Sequence, residues 1–470
     1  MMGWSFHTGT CIKTTPRLKR LLQRAKLVRL VNKYLLFIGQ LMNQAIAARA
    51  AVSSAMFTLL AGLAMSAQAG PFLTDKPFDM TVNVNGTYNP VTDTLTGGTQ
   101  TATVGFTTVS DQFDKGKTAG VSEVNAAYNA NSAAVIRLGY RGMPLVLQTT
   151  ANSTAVTFLI PALNENVVFS AKGTRDANIE DIREYLKSSG ADLLNRLQRE
   201  LVRLSPIDPV AGNPSSMQSQ MVMGDFDRNF TQVASNAGAA GQPVNNLVGI
   251  GLGVGSFSQG GLTSDSTTLP ISYTYRPDAN PGRQWSVYMP ITVTNTAGAK
   301  TIGANLGVSY RFPINDAWSL TPGVGYGITG SIDLGSAAAM MAASLTSQYS
   351  MKLSGFDLSI GNMAGLYQSS KLSGGSYSFD PGIRNTVFRN GVMASFPATL
   401  MGRSVAYETS YIHTLYTGTE LYSNQYHEIG LTVGTNKSGG VASSYLRAGV
   451  TLLQGEKDVK GIRFNLGYWF

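Results

Sequence analysis

The chain has 470 residues, room for roughly two or three domains, and carries 36 Lys and Arg against 27 Asp and Glu, a formal charge of +9. Nine of the basic residues lie in the first 69 positions, which hold no acidic residue, so the remainder balances at 27 against 27. A neutral body offers nucleic acid no electrostatic footing, and with its single cysteine at Cys11 the chain beyond residue 69 can form no disulfide, thiolate metal site or lipid-acylated cysteine.

Residues 1–69 read as a signal peptide with a long basic n-region. The apolar stretch "AVSSAMFTLLAGLAMSAQAG" closes on Ala67-Gln68-Ala69, a small-x-small cleavage site that puts Gly70 first in the mature chain. A retained membrane anchor is the alternative. The length of the basic part resembles the extended signal peptides of some bacterial autotransporters; a translation start nearer Met42 also accounts for it. Past residue 70 no apolar run reaches 18 residues, so a spanning helix is not available there. The remaining way across a membrane is a closed barrel, in which every backbone group is paired.

Residues 70–175 are expected to form a β-rich N-terminal domain from the runs "MTVNVNGTY", "TATVGFTTV", "AAVIRLGY", "PLVLQ", "AVTFLI" and "NVVFS". Residues 176–246 are a helical segment, a linker and a possible lumen plug. Ile179, Ile182 and Leu186, then Leu193, Leu197, Leu201 and Leu204, recur at three- and four-residue steps, and Ser188-Ser189-Gly190 divides the run into two helices. This stripe packs on the neighbouring β domain or joins a coiled coil. "SPIDPVAGNPSS" ends the helices, and a Met-rich stretch from Met217 to Phe230 leads toward the next region.

From residue 247 to 470 the chain alternates in polarity through about twelve segments. Val248, Ile250, Leu252 and Val254 interleave with four glycines; Trp285, Val287, Met289, Ile291 and Val293 share a face; Ile302, Leu306, Val308, Tyr310 and Phe312 share another. Trp318, Leu320, Val324, Tyr326 and Ile328 continue the pattern, with later strands over roughly 343–353, 356–368 and 386–398 and three more before the last. The turn signals "RPDANPGR", "PINDA", "LSG", "NKSGG" and "QGEKD" separate them. Segments of about ten residues alternating in this way, with aromatics near their ends, mark a transmembrane antiparallel β-barrel. A soluble β-sandwich also alternates, but its polar face is not so rich in Gly, Ser and Thr with so few charges. The fold class is thus all-β dominated: a C-terminal barrel behind a small β-rich domain and a helical segment.

The final strand, "GIRFNLGYWF", puts Ile462, Phe464, Leu466, Tyr468 and Phe470 on one face. It resembles the C-terminal strand of Gram-negative outer-membrane proteins, and the resemblance implies that Phe464, Leu466, Tyr468 and Phe470 serve as an insertion signal. It also implies an outer-membrane location, with membrane lipid and the barrel-insertion machinery as partners. By the same likeness both barrel ends are periplasmic. "QGEKD", "YTGTELYS", "SSKLSGGSYSFDPGIRN" and "SIDLGSAAAMM" are then outer loops, and "TLMGR" joins the periplasmic turns.

The inward face holds Arg276, Arg311, Lys352, Arg389, Glu408, Glu428, Arg447 and Arg463. These charges tune ion passage or pair with one another as a structural network. Inward glycines on the strands beginning near Leu247, Thr301 and Ala317 enlarge the lumen, which then conducts or is occupied. A pre-barrel segment filling it resembles autotransporter translocators and the export barrels of functional amyloids, although the upstream region shows no passenger-type repeats.

The two histidines beyond the leader, His413 and His427, fall on the lipid face opposite each other, where they suit interface anchoring better than metal binding or catalysis. Gly249 to Gly255 is no phosphate loop, since neither Lys-Ser/Thr nor a helix follows. The sequence therefore points away from an enzyme and calls for no cofactor, metal or nucleic acid. It points instead to a translocator or secretion-type channel gated by its pre-barrel segment. A passive solute channel with a periplasmic domain and an adhesin or envelope protein with a closed barrel are the alternatives, and a homo-oligomer is open.

Overall fold

The computed structural model describes residues 72–188, 191–230, 246–277, 279–280, 282–374, 377–400, 402–435 and 445–469. The cleavage-site residues Ala67 and Ala69, the turn at 436–444 and the terminal Phe470 lie outside the described residues.

The C-terminal half is a closed antiparallel barrel of twelve staves. The first stave is β10 (Leu247–Gln259). The second is split into β11 (Leu262–Leu269) and β12 (Ile271–Tyr275), and the third into β13 (Gln284–Tyr288) and β14 (Ile291–Thr296). Pro270 and Pro290 cause these splits, because a proline has no N–H to give the ladder. The register passes through both breaks unshifted: Ile250 faces Ile271 just as Gly253 faces Thr268. Nine uninterrupted staves follow: β15 (Ala299–Pro313), β16 (Trp318–Ser331), β17 (Ser336–Leu353), β18 (Phe356–Ser370), β21 (Arg384–Leu400), β22 (Arg403–Gly418), β23 (Gln425–Thr435), β24 (Tyr445–Gly455) and β25 (Lys460–Trp469). A small hairpin, β19 (Leu372–Gly374) and β20 (Tyr377–Phe379), decorates the loop after β18.

Closure is made by β25 on β10, with Gly249 opposite Trp469 and Ser258 opposite Lys460. The period-2 faces come out as expected. Val287, Leu306, Val324, Leu431 and Leu466 are exposed on the outer wall, at 41 to 62%, while Ser309, Thr321, Thr346 and Arg389 are buried inside. A wall that is predominantly apolar outward suits hydrocarbon, so this is a membrane barrel. One outer-loop expectation is corrected: Ser336 to Met341 of "SIDLGSAAAMM" belong to β17, leaving only Ile332–Gly335 as the turn. Ala338 and Met340 pack inward there, a use for small and apolar residues that alternation alone does not reveal.

The N-terminal domain is a sheet in the order β4-β1-β6-β7-β8-β9 with β5 also on β1. Its strands are β1 (Phe78–Val84), β4 (Thr99–Gln100), β5 (Val104–Phe106), β6 (Ala134–Tyr140), β7 (Met143–Thr149), β8 (Val156–Ile160) and β9 (Glu165–Phe169), while β2 (Thr87–Asn89) and β3 (Thr94–Thr96) form a separate hairpin. Phe78, Met80 and Val82 join Ile136, Leu145 and Phe158 in one core. Two expected runs are shorter than predicted. "MTVNVNGTY" breaks at Asn85, which takes a positive φ of 56°, and "TATVGFTTV" keeps only its centre as strand because Thr108 caps a helix through Asp111 N–H. The short helices α1 (Val109–Lys115) and α2 (Thr118–Val124) carry too few turns for their periodicity to stand out.

The leucine stripe packs on this sheet. In α3 (Arg175–Ser188) and α4 (Ala191–Leu204), Ile179, Ile182, Leu193, Leu197 and Leu201 are buried in the domain core. Val202, one residue further round α4, belongs instead to the core within the barrel. A fifth helix, α5 (Met217–Phe230), completes the described elements before β10.

Candidate functional site, a helix held in the barrel lumen

The barrel has two mouths. The first stave begins and the last ends at one of them, the terminal mouth, together with the turns near 314–317 and 354–355. The loops 332–335, 371–383, 419–424 and 456–459 form the other. The N-terminal domain sits on this loop mouth. Val109 N–H donates to the Asp333 carbonyl at 2.9 Å, Asp380 N–H to Asn195 Oδ1 at 2.9 Å, Arg199 to the Gly382 carbonyl at 2.6 Å, and Tyr422 N–H to the Val202 carbonyl at 2.8 Å.

Between domain and barrel, residues 205–214 are buried. Asp208 organises them: its carboxylate accepts from Val210 N–H at 2.9 Å and from Arg141 Nη1 at 2.9 Å, both side chains being wholly enclosed. Arg141 occupies the β6–β7 turn with a φ of 52°, which aims it at the barrel. Burial raises the Asp208 carboxyl above the ordinary 3.8, against the pull of Arg141 and the two backbone N–H groups.

The helix α5 then runs down the lumen. Near its start Gln218 Nε2 donates to Asn385 Oδ1 at 2.9 Å, close to the loop mouth. At its end the Phe230 carbonyl accepts from Gln348 toward the terminal mouth. Fourteen residues at 1.5 Å each make about 21 Å, most of a bilayer's hydrocarbon thickness. Met221, Phe226 and Phe230 are buried against the wall. Phe226 and Phe230 fit because Gly361 and Gly391 have no side chain: a Cβ at Gly391 would lie 3.1 Å from Phe230 and 3.2 Å from Phe226, and one at Gly361 would run into the Phe230 ring.

Charge fixes the helix as firmly as shape. Asp225 accepts hydrogen bonds from the hydroxyls of Tyr288 and, at 2.7 Å, Tyr367. Arg228 pairs with Asp225 at 3.4 Å and lies over the Tyr288 ring, 3.3 Å from its centroid. Asp227 reaches Arg389 at 3.2 Å and Arg463 at 3.4 Å, and both arginines also hold Glu428, at 2.9 and 3.5 Å. Arg447 pairs with Glu408. Four arginines thus meet four carboxylates, and the charge of this network cancels.

Five of the eight expected lumen charges, Arg389, Glu408, Glu428, Arg447 and Arg463, therefore form the paired network rather than a free lining. Arg276 and Arg311 sit lower, at the terminal rim, where Arg311 donates to the Gly282 carbonyl at 3.1 Å. Lys352 is exposed one residue from the end of β17, next to Asp357 in the register, and so flanks the lumen without lining it. His413 and His427 face each other on β22 and β23, ring centroids 4.7 Å apart, with Tyr411 Oη 2.8 Å from His427 Nδ1 on the outer wall. Phe464, Leu466 and Tyr468 point outward from β25 as expected.

The helix-side charges Asp225, Asp227 and Arg228 were not among the expected site residues, nor were Tyr288 and Tyr367. A signal for the tyrosines existed, since each is an aromatic on the polar parity of its strand. For the aspartates there was none, because nothing local says which wall a lone helix will meet. Beside α5 a cavity of about 240 Å³ remains, walled by Gly251, Gly253, Thr268, Thr432, Arg447 and Arg463 among others.

A closed twelve-stave barrel, apolar outside and lined with polar and small residues inside, defines the class: an outer-membrane channel-type β-barrel, of the kind found in the outer membrane of Gram-negative bacteria. No known family description matches the chain, and no curated protein matches it. Among solved structures it is similar to the beta domain of the Bordetella autotransporter Brka, at 14% identity and a TM-score of 0.38 over 48% of this chain and 98% of that one. It is also similar to the translocator domain of autotransporter NalP from Neisseria meningitidis, at 12% identity and 0.36 over 54% and 97%. An outer membrane channel from Pseudomonas putida F1 gives 12% identity and 0.35 over 50% and 98%.

Proposed function

We propose that the protein is a translocator that delivers its own N-terminal domain to the outer face of the membrane and then remains in the barrel as a plug. One observation carries this reading. The domain rests on the loop mouth, both barrel ends lie at the opposite mouth, and α5 occupies the lumen between them. A chain so arranged has residues before and after the helix on opposite sides of the bilayer. The passive channel with a periplasmic domain fits this poorly, because a periplasmic domain belongs beside the barrel ends. The cavity along α5 favours a second reading, a narrow solute passage that stays open beside the plug.

Surface labelling tests the proposal. Val91 is 90% exposed at the hairpin tip of the domain, so Val91→Cys in a Cys11→Ser background gives one reporter thiol. Intact cells treated with a membrane-impermeant maleimide are expected to label it. Labelling only after the outer membrane is permeabilised puts the domain in the periplasm and ends the translocator reading. Single-channel recording of the intact protein addresses the second reading: steady conductance supports it, and silence removes it.

A further inference from the structure

The outer wall carries a polar line that lipid cannot satisfy. Ser347, Asn362, Asn390, His413, His427 and Gln454 stand directly opposite one another, each pair in register, across β17, β18, β21, β22, β23 and β24. All six lie on the outward parity, so the line crosses the apolar band obliquely. His427 is near the loop mouth, where headgroups reach. Asn362 and Asn390 are not: each is the seventh residue of its strand, in strands of 15 and 17. At about 3.3 Å per residue and a tilt near 40°, six steps put both roughly 15 Å from the strand end, well inside the hydrocarbon.

Their neighbours on the same face are apolar: Ile360 is 38% exposed, Phe388 41% and Val392 39%. At similar depth on the neighbouring staves β15 and β16 stand Leu306 and Val324, with no amide. The two asparagines bond each other, Asn362 Nδ2 to Asn390 Oδ1 at 2.7 Å. That bond uses one donor and one acceptor, leaving N–H groups and a carbonyl directed outward. At this depth neither water nor a headgroup can meet them. Ala343, Ala364 and Ala394 flank the pair on the same wall, and small residues of this kind let a second membrane wall approach closely.

We infer that the β17–β22 wall is a docking face for a second copy of this chain, paired through Asn362 and Asn390. A carboxamide offers both donor and acceptor, so the patch complements itself under a two-fold axis, which is the requirement of an isologous contact.

The experiment uses the full chain. In a Cys11→Ser background, Asn390→Cys is oxidised in outer membranes, with Leu306→Cys on β15, four staves away from β21, as control. The expected result is a disulfide-linked product of twice the chain's mass for Asn390→Cys and none for the control. In parallel, Asn362→Leu/Asn390→Leu is expected to convert the native mass in detergent from two copies to one. Heat-modifiable migration, which reports the closed barrel, should be retained. A wild type that has the mass of one copy in detergent, or an Asn390→Cys variant that fails to cross-link, overturns the inference, as does a cross-link to a protein of another mass.

Discussion

Arg389 on the barrel wall holds Asp227 of the lumen helix at 3.2 Å and Glu428 of the neighbouring strand at 2.9 Å, with its own side chain almost wholly enclosed. One guanidinium thus ties plug to wall and wall to wall. Removing one partner of a buried pair leaves an uncompensated charge, which costs about 3–5 kcal/mol. Arg389→Met should therefore lower the temperature at which the folded barrel band disappears on unheated gels. Replacing Asp227 with Asn is expected to do less to the barrel, because Arg389 keeps Glu428. It should loosen the helix, however, and raise the frequency of channel openings in planar bilayers. Equal conductance in Asp227→Asn and wild type counts against the plug being held by charge.

The steric half of the lock has its own test. Gly361→Ala places a methyl against Phe230, and the strand cannot yield without losing its ladder. The helix end should move instead, raising single-channel conductance above that of the wild type. Adding Phe230→Ala ought to bring the conductance back toward the wild-type value, a coupling that two independent defects would not show.

The joint above the lumen depends on Asp208. With the carboxyl gone, Asp208→Ala leaves Arg141 enclosed without its carboxylate partner, again a loss of about 3–5 kcal/mol. Protease digestion of the purified protein should then cut between the domain and α5, a region of buried backbone in the wild type.

The same residue makes the joint pH-dependent. Its carboxyl is raised above 3.8 by burial, so the folded state holds the proton more tightly than the unfolded chain. The associated stability is complete below the unfolded value and fades as pH climbs through the folded one. Between pH 7 and pH 4.5 the unfolding midpoint of the wild type should therefore gain on that of Asp208→Asn as acid is added. Parallel midpoints across that range, or a gain in the opposite direction, contradict the assignment.

Within the domain, Leu201 is fully buried between α4 and the sheet. Leu201→Ala is expected to cost about 2–5 kcal/mol, read as earlier loss of domain fluorescence or circular dichroism on heating while the barrel band persists. Leu194, only partly buried, should tolerate the same change with a smaller loss.

The wall of this protein was legible in its residues because a strand imposes a period of two. Phe464, Leu466 and Tyr468 face outward and Arg463 and Asn465 inward whatever else the chain does, and the same parity put Arg389, Glu428 and Arg447 inside. The leucine stripe of α3 and α4 was legible for the same kind of reason, through the helical repeat. Three things were not. Alternation says that Arg389 and Glu428 share a face but not that they touch, since that depends on register across β21, β22 and β23. The loop mouth as the seat of the domain rests on contacts such as Val109 with Asp333, more than 200 positions apart in the chain. The partners of Asp225 and Asp227 come from walls 60 to 240 residues downstream, so no local pattern could announce them. Sequence alone determined which side of each element is apolar, because that follows from backbone geometry one residue at a time. Only the closed barrel decided what fills its lumen, because a helix gains partners there from staves that meet nowhere along the chain.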